Sequence, residues 1–125
     1  MILIVDDFEP QRYMRRRQLE AAGFTVCDAA TTTAARNIIA TGGVGVVVSD
    51  IGLRDGNGIA LCAEIKRARP DLPVVLLSAT HRTEDVRRDA MAAGADAVLG
   101  EPLPAEQLVR IVKRVRAGKM GETGD

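Results

Sequence analysis

The chain has 125 residues, 46% of them apolar and 27% charged, which makes one domain with a hydrophobic core of its own and excludes a disordered segment. Seventeen Lys and Arg balance seventeen Asp and Glu, and only 2% of residues are aromatic. That excludes a surface built mainly to coat nucleic acid or an anionic membrane, and a platform for stacking bases.

Five apolar runs alternate with five helical segments. Ile2-Leu3-Ile4-Val5 reads as the first strand. Residues 10–22 follow as a weakly patterned helix closed by Gly23. Phe24-Thr25-Val26-Cys27 is the second strand, and Ala34, Ala35, Ile38 and Ile39 form the stripe of the second helix. Val44-Gly45-Val46-Val47-Val48 is the third strand. Asp55-Gly56-Asn57-Gly58 reads as a turn leading into a helix with Leu61, Ile65 and Ala68 on one face. Pro73 to Leu77 is the fourth strand, Val86, Ala90 and Ala93 mark the fourth helix, and Ala95 to Leu99 is the fifth strand. Leu108, Ile111, Val112 and Val115 give the last helix the cleanest stripe. Three of the five runs are almost continuously apolar, as strands are when both faces are covered. The order predicts an α/β fold, a (βα)5 doubly wound parallel sheet in one domain over residues 1–118. Residues 119–125 are polar and Gly-rich, expected as a flexible tail or the start of a linker.

No apolar run approaches the roughly 20 residues that span a bilayer, and the N-terminus has no secretory pattern, so a cytoplasmic location without membrane contact is expected. Cys27 and Cys62 are expected as buried free thiols. The single histidine, His81, is read as an exposed loop residue. Arg12, Arg15, Arg16 and Arg17 form a basic cluster on the first helix, either a solvated face or a docking surface for an acidic partner.

In an open α/β sheet, ligands bind beyond the carboxyl ends of the strands. Those ends carry Asp6 and Asp7, then Ser49 and Asp50, then Ser78, then Gly100-Glu101-Pro102. Clustered carboxylates repel, and a hard cation such as Mg²⁺ is their natural neutraliser. The plainer reading makes Asp6 and Asp50 turn or helix-cap residues.

Four motifs stand together in this order: Ile4-Val5-Asp6-Asp7; Val48-Ser49-Asp50 followed by Leu53, Gly56 and Gly58; Leu77-Ser78-Ala79; and Gly94-Ala95-Asp96 leading to Pro102. In these the chain resembles the receiver domain of two-component response regulators, over about residues 1–118. The resemblance implies a flavodoxin-like strand order 2-1-3-4-5 and a non-enzymatic signalling module, active at most in its own phosphorylation and dephosphorylation. It implies that Asp50 accepts a phosphoryl group from a sensor histidine kinase or phosphotransfer protein. Asp7, Asp50 and the backbone carbonyl of Gly52 would ligate Mg²⁺ (or Mn²⁺), Asp6 would hold a metal-bound water, and Ser78 would hydrogen-bond a phosphoryl oxygen. A homodimer through the fourth and fifth helices is a further expectation, and direct nucleic-acid binding is not expected.

The family has Lys where this chain has Glu101, before Pro102. A Glu there is expected to turn to solvent, take a proton, join a cation site or meet an arginine, with Arg54 the candidate. Val98 replaces the aromatic often used as a rotating switch, and Phe8 follows the acidic pair. Receivers with Glu-Pro at this point are similar to those fused to sensor histidine kinases. Two readings result: a working phospho-acceptor with altered coupling, or a pseudo-receiver acting as an interaction or dimerisation module without phosphorylation.

Overall fold

The computed structural model describes residues 1–78 and 84–118. His81 and the expected tail at 119–125 lie outside the described residues. The elements run β1 (Ile2–Val5), α1 (Glu9–Ala21), β2 (Val26–Ala29), α2 (Thr32–Ala40), β3 (Val46–Asp50), β4 (Gly52–Leu53), β5 (Gly56–Asn57), α3 (Gly58–Ala68), β6 (Val74–Ser78), α4 (Glu84–Ala92), β7 (Ala97–Gly100) and α5 (Ala105–Arg116). The main sheet is wholly parallel in the order β2-β1-β3-β6-β7, the flavodoxin-like order expected.

Side chains alternate between two cores, because successive residues of a strand face opposite sides of the sheet. Ile2 and Ile4, Val46 and Val48, Val75 and Leu77, and Ala97 and Leu99 pack with Leu19 of α1 and Leu108, Ile111, Val112 and Val115 of α5. Leu3 and Val5, Val47, Val74 and Leu76, and Val98 pack on the other face with Ala35 of α2, Leu61, Cys62 and Ile65 of α3, and Ala90 of α4.

Several boundaries differ from the apolar runs. Phe24-Thr25 and Val44-Gly45 precede their strands, and Ser49 and Asp50 lie within β3. Parallel pairing sets these ends: Ile2 stands opposite both Val26 and Val46. The turn expected over 55–58 is half of a small antiparallel ribbon, Gly52 opposite Asn57 and Leu53 opposite Gly56. Gly58 then approaches the sheet so closely that a Cβ on it would lie 2.1 Å from the Asp50 carbonyl oxygen. Its N–H donates to the Ile51 carbonyl at 2.7 Å. Asn57 caps α3, its Oδ1 accepting from the N–H groups of Ile59 and Ala60 at 2.7 and 3.3 Å. Both cysteines are free thiols, Cys62 buried and Cys27 only half-buried because it sits on the edge strand β2. No helix among the described residues is long and apolar enough to cross a membrane.

Candidate functional site

The alternation that sorts the core also builds the site. Continuing the parity of Ile2 and Ile4 brings Asp6 to the α1 side of the sheet; continuing Val46 and Val48 brings Asp50, and continuing Ala97 and Leu99 brings Glu101. On α1 the buried residues are Arg15 and Leu19, one turn apart. Leu19 meets the apolar core, and Arg15 meets the three carboxylates.

The contacts are direct. Arg15 Nη1 donates to Asp50 Oδ1 at 2.7 Å and to Asp6 Oδ2 at 3.1 Å, and Arg15 Nη2 donates to Glu101 Oε1. Gln11, one turn earlier on the helix, donates from Nε2 to both Glu101 oxygens at 2.9 and 3.1 Å. Arg12 Nη1 donates to the Asp6 carbonyl at 2.8 Å, and the Phe8 N–H donates to Asp6 Oδ1 at 2.9 Å. Asp6 is fully buried, Arg15 is 3% exposed and Asp50 is 8% exposed.

Burial pushes the Asp50 carboxyl up to about 7, with Arg15 pulling it down and the charge of Asp6 adding to the rise. Burial also works against the Arg15 charge, but the hydrogen bonds and charges of Asp50 and Glu101 outweigh it and raise the guanidinium further.

The sequence-predicted residues divide. Asp6, Asp50 and Glu101 come together. Asp7 continues the opposite parity, that of Leu3 and Val5, and Gly52 lies in the β4–β5 ribbon. Ser78 ends β6 beside β7, opposite Gly100, and is buried. Glu101 pairs with Arg15 and Gln11, not with the exposed Arg54, and it neither turns to solvent nor stands alone. The peptide bond from Glu101 to Pro102 is cis.

The sequence reading placed Arg15 only within a basic cluster and did not single out Gln11, yet both line this site. Arg15 is not part of a solvated face: of the four arginines it alone is buried, whereas Arg16 pairs with Glu20 and Asp28 near the surface and Arg17 lies over the Tyr13 ring. The available signal was the spacing Gln11-Arg15-Leu19, which lines one helix face toward the sheet.

The oxygens of Asp6, Asp7 and Asp50 are of the kind a hard divalent cation takes. Arg15 rests on one oxygen of Asp50 and one of Asp6, while the other oxygen of Asp6 is held by the Phe8 N–H. Among the described residues, no three Asp, Glu, His or Cys side chains are grouped to hold a metal ion.

The chain matches the response regulator receiver domain over residues 2–113, and it belongs to that family. It is 32% identical over 113 residues to the C4-dicarboxylate transport transcriptional regulatory protein DctD of Rhizobium meliloti (strain 1021), a match covering 90% of this chain and 24% of that protein. It is 28% identical over 121 residues to the swarming motility regulation protein RssB of Serratia marcescens, covering 97% and 54%. Among solved structures, the receiver domain of NtrX from Brucella abortus superposes with a TM-score of 0.87 at 29% identity, covering 94% of this chain and 98% of that one. The chain spans about a quarter to about half of the length of these curated relatives. Receiver domains are generally non-enzymatic signalling modules that bind Mg²⁺ at the phosphorylation site and interact with histidine kinases or phosphotransfer proteins.

Proposed function

We propose that this chain is a phospho-accepting receiver of a two-component phosphorelay, with Asp50 as the acceptor. The observation that carries this reading is the place of Asp50. It ends the central strand β3 at the carboxyl edge of the sheet, beside Asp6 and in contact with a charged Arg15. A carboxylate oxygen of Asp50 attacks the phosphorus of an N-phosphoryl imidazole on a sensor histidine kinase or phosphotransfer protein. The O–P bond forms as the P–N bond breaks. The electron pair returns to the imidazole, which leaves neutral with a proton on its other nitrogen, and Asp50 becomes an acyl phosphate. A divalent cation, when bound, neutralises charge on both partners; the donors proposed for Mg²⁺ or Mn²⁺ are Asp7, Asp50 and the Gly52 carbonyl, with Asp6 behind them. Arg15 orients the Asp50 carboxylate, and Ser78 is the proposed hydrogen-bond donor to a phosphoryl oxygen. A homodimer through α4 and α5 belongs to this proposal; Arg116 of α5 is engaged within the chain, 4.7 Å from the centre of the Phe24 ring.

Incubation with acetyl phosphate and Mg²⁺, followed by intact mass, tests the acceptor. The expected result is one phosphoryl adduct on the wild type and none on Asp50→Asn. The seat of Arg15 on Asp50 favours a second reading, a pseudo-receiver that works as an interaction module while its acceptor stays closed. An unmodified wild type, both with acetyl phosphate and with a cognate phosphorylated kinase, would establish that reading.

A further inference from the structure

One guanidinium serves three carboxylates in this site. Arg15 Nη1 lies between Asp6 and Asp50, and Nη2 pairs with Glu101. These contacts are made where Arg15 is almost wholly withdrawn from water, so each charge is felt strongly. Glu101 is itself fixed, with Gln11 donating to both of its oxygens. Glu101 therefore acts as an anchor: it holds the far side of the guanidinium while the near side rests on the acceptor. The two oxygens under Nη1 are also hard donors of the kind a divalent cation seeks.

We propose that Arg15, anchored by Glu101, is the resident cation of the acceptor site, and that Mg²⁺ binds only against it. An entering ion must displace the guanidinium from Asp50 or share the carboxylate with it. Residue 15 thereby sets the divalent affinity of the site. The inference deepens the acceptor reading and rests on it for its biological meaning, yet its own readout is metal binding without phosphorylation.

Calorimetric titration of the 125-residue chain with MgCl₂ tests it, using wild type, Arg15→Gln, Arg15→Lys and, as a control on the same helix, Arg16→Gln. Arg15→Gln is expected to bind Mg²⁺ at least ~10-fold more tightly than wild type, because a positive charge at contact distance is gone. Arg15→Lys should fall between, since a single ammonium reaches the carboxylates one at a time. Arg16→Gln should match wild type. An Arg15→Gln affinity equal to or weaker than wild type overturns the inference. Should circular dichroism show Arg15→Gln unfolded, Arg15→Lys decides: a gain of about threefold or more supports the inference, and no gain overturns it. Intact mass with acetyl phosphate on the same samples separates the two claims. An adduct on wild type with no tightening in the variants overturns this inference and leaves Asp50 an acceptor. Tightening without an adduct on any sample, with acetyl phosphate and with a cognate phosphorylated kinase alike, overturns the acceptor reading and leaves Arg15 the resident cation.

Discussion

Arg15 is 3% exposed although its neighbours in sequence are Met14, Arg16 and Arg17, the first and last of which are exposed. A buried guanidinium of this kind is costly to isolate: removing one partner of a buried ion pair typically destabilises by about 3–5 kcal/mol. Arg15→Met should lose about that much at pH 8, where Asp6, Asp50 and Glu101 are left facing one another; a urea midpoint within error of wild type would contradict the burial described. Asp50 gives the pH dependence. Its ordinary value is 3.8 and in the fold it is pushed to about 7. Between those values the folded chain holds a proton that the unfolded chain has released, so the contribution of Asp50 to stability is greatest in acid and falls as pH rises through about 7. Urea midpoints should decline less from pH 5 to pH 8 in Asp50→Asn than in wild type. At this scale the acidic residues were legible, because a strand end followed by Asp is a visible pattern. Arg15 was not, because an arginine among arginines on a weakly patterned helix has the local sequence of a solvent face. Only the placement of Glu101 beneath that helix distinguishes it.

The β4–β5 ribbon and the start of α3 pack closely against the backbone of Asp50. Gly58 leaves 2.1 Å between its would-be Cβ and the Asp50 carbonyl oxygen. Gly58→Ala must push the ribbon away from β3, and overpacking of this sort costs about 1–3 kcal/mol. Thermal unfolding should show that loss, and Asp50 phosphorylation should slow with it. Asn57→Ala removes the two cap hydrogen bonds of α3 and should cost about 0.5–2 kcal/mol without touching the carboxylates. The two variants separate backbone placement of Asp50 from simple loss of helix stability. The apolar runs revealed the main strands, but not this ribbon. Its four paired residues are Gly52, Leu53, Gly56 and Asn57, and three of them belong to types poor in strand preference. Their pairing follows from the chain folding back under Asp50, which no local pattern records.

Across the whole molecule, the sheet is a partition between two cores, and the parity of each strand decides which side its last residue serves. Asp6 follows β1, Asp50 ends β3 and Glu101 follows β7, and α1 lies over all three through Arg15. Restoring a lysine at 101 is therefore not a local repair. Glu101→Lys sets an ammonium against the buried Arg15 guanidinium and should lower stability, whereas Arg15→Gln combined with Glu101→Lys should recover much of that loss. A double-mutant cycle in urea would show the coupling as a departure from additivity well beyond the ~0.5 kcal/mol seen between independent sites. Fold class, strand order and domain unity were legible because hydrophobic periodicity is repeated over the chain. The Arg15–Glu101 link joins positions 86 residues apart, and such a pair leaves no trace in any single window.

That link carries a consequence for descent. Neither position can change its charge while the other keeps its own without leaving a like pair or an orphaned ion beside Asp50. Positions 15 and 101 should therefore drift together in lineages close to this one, with acidic residues at 101 accompanied by arginine at 15 and basic residues at 101 accompanied by a neutral side chain.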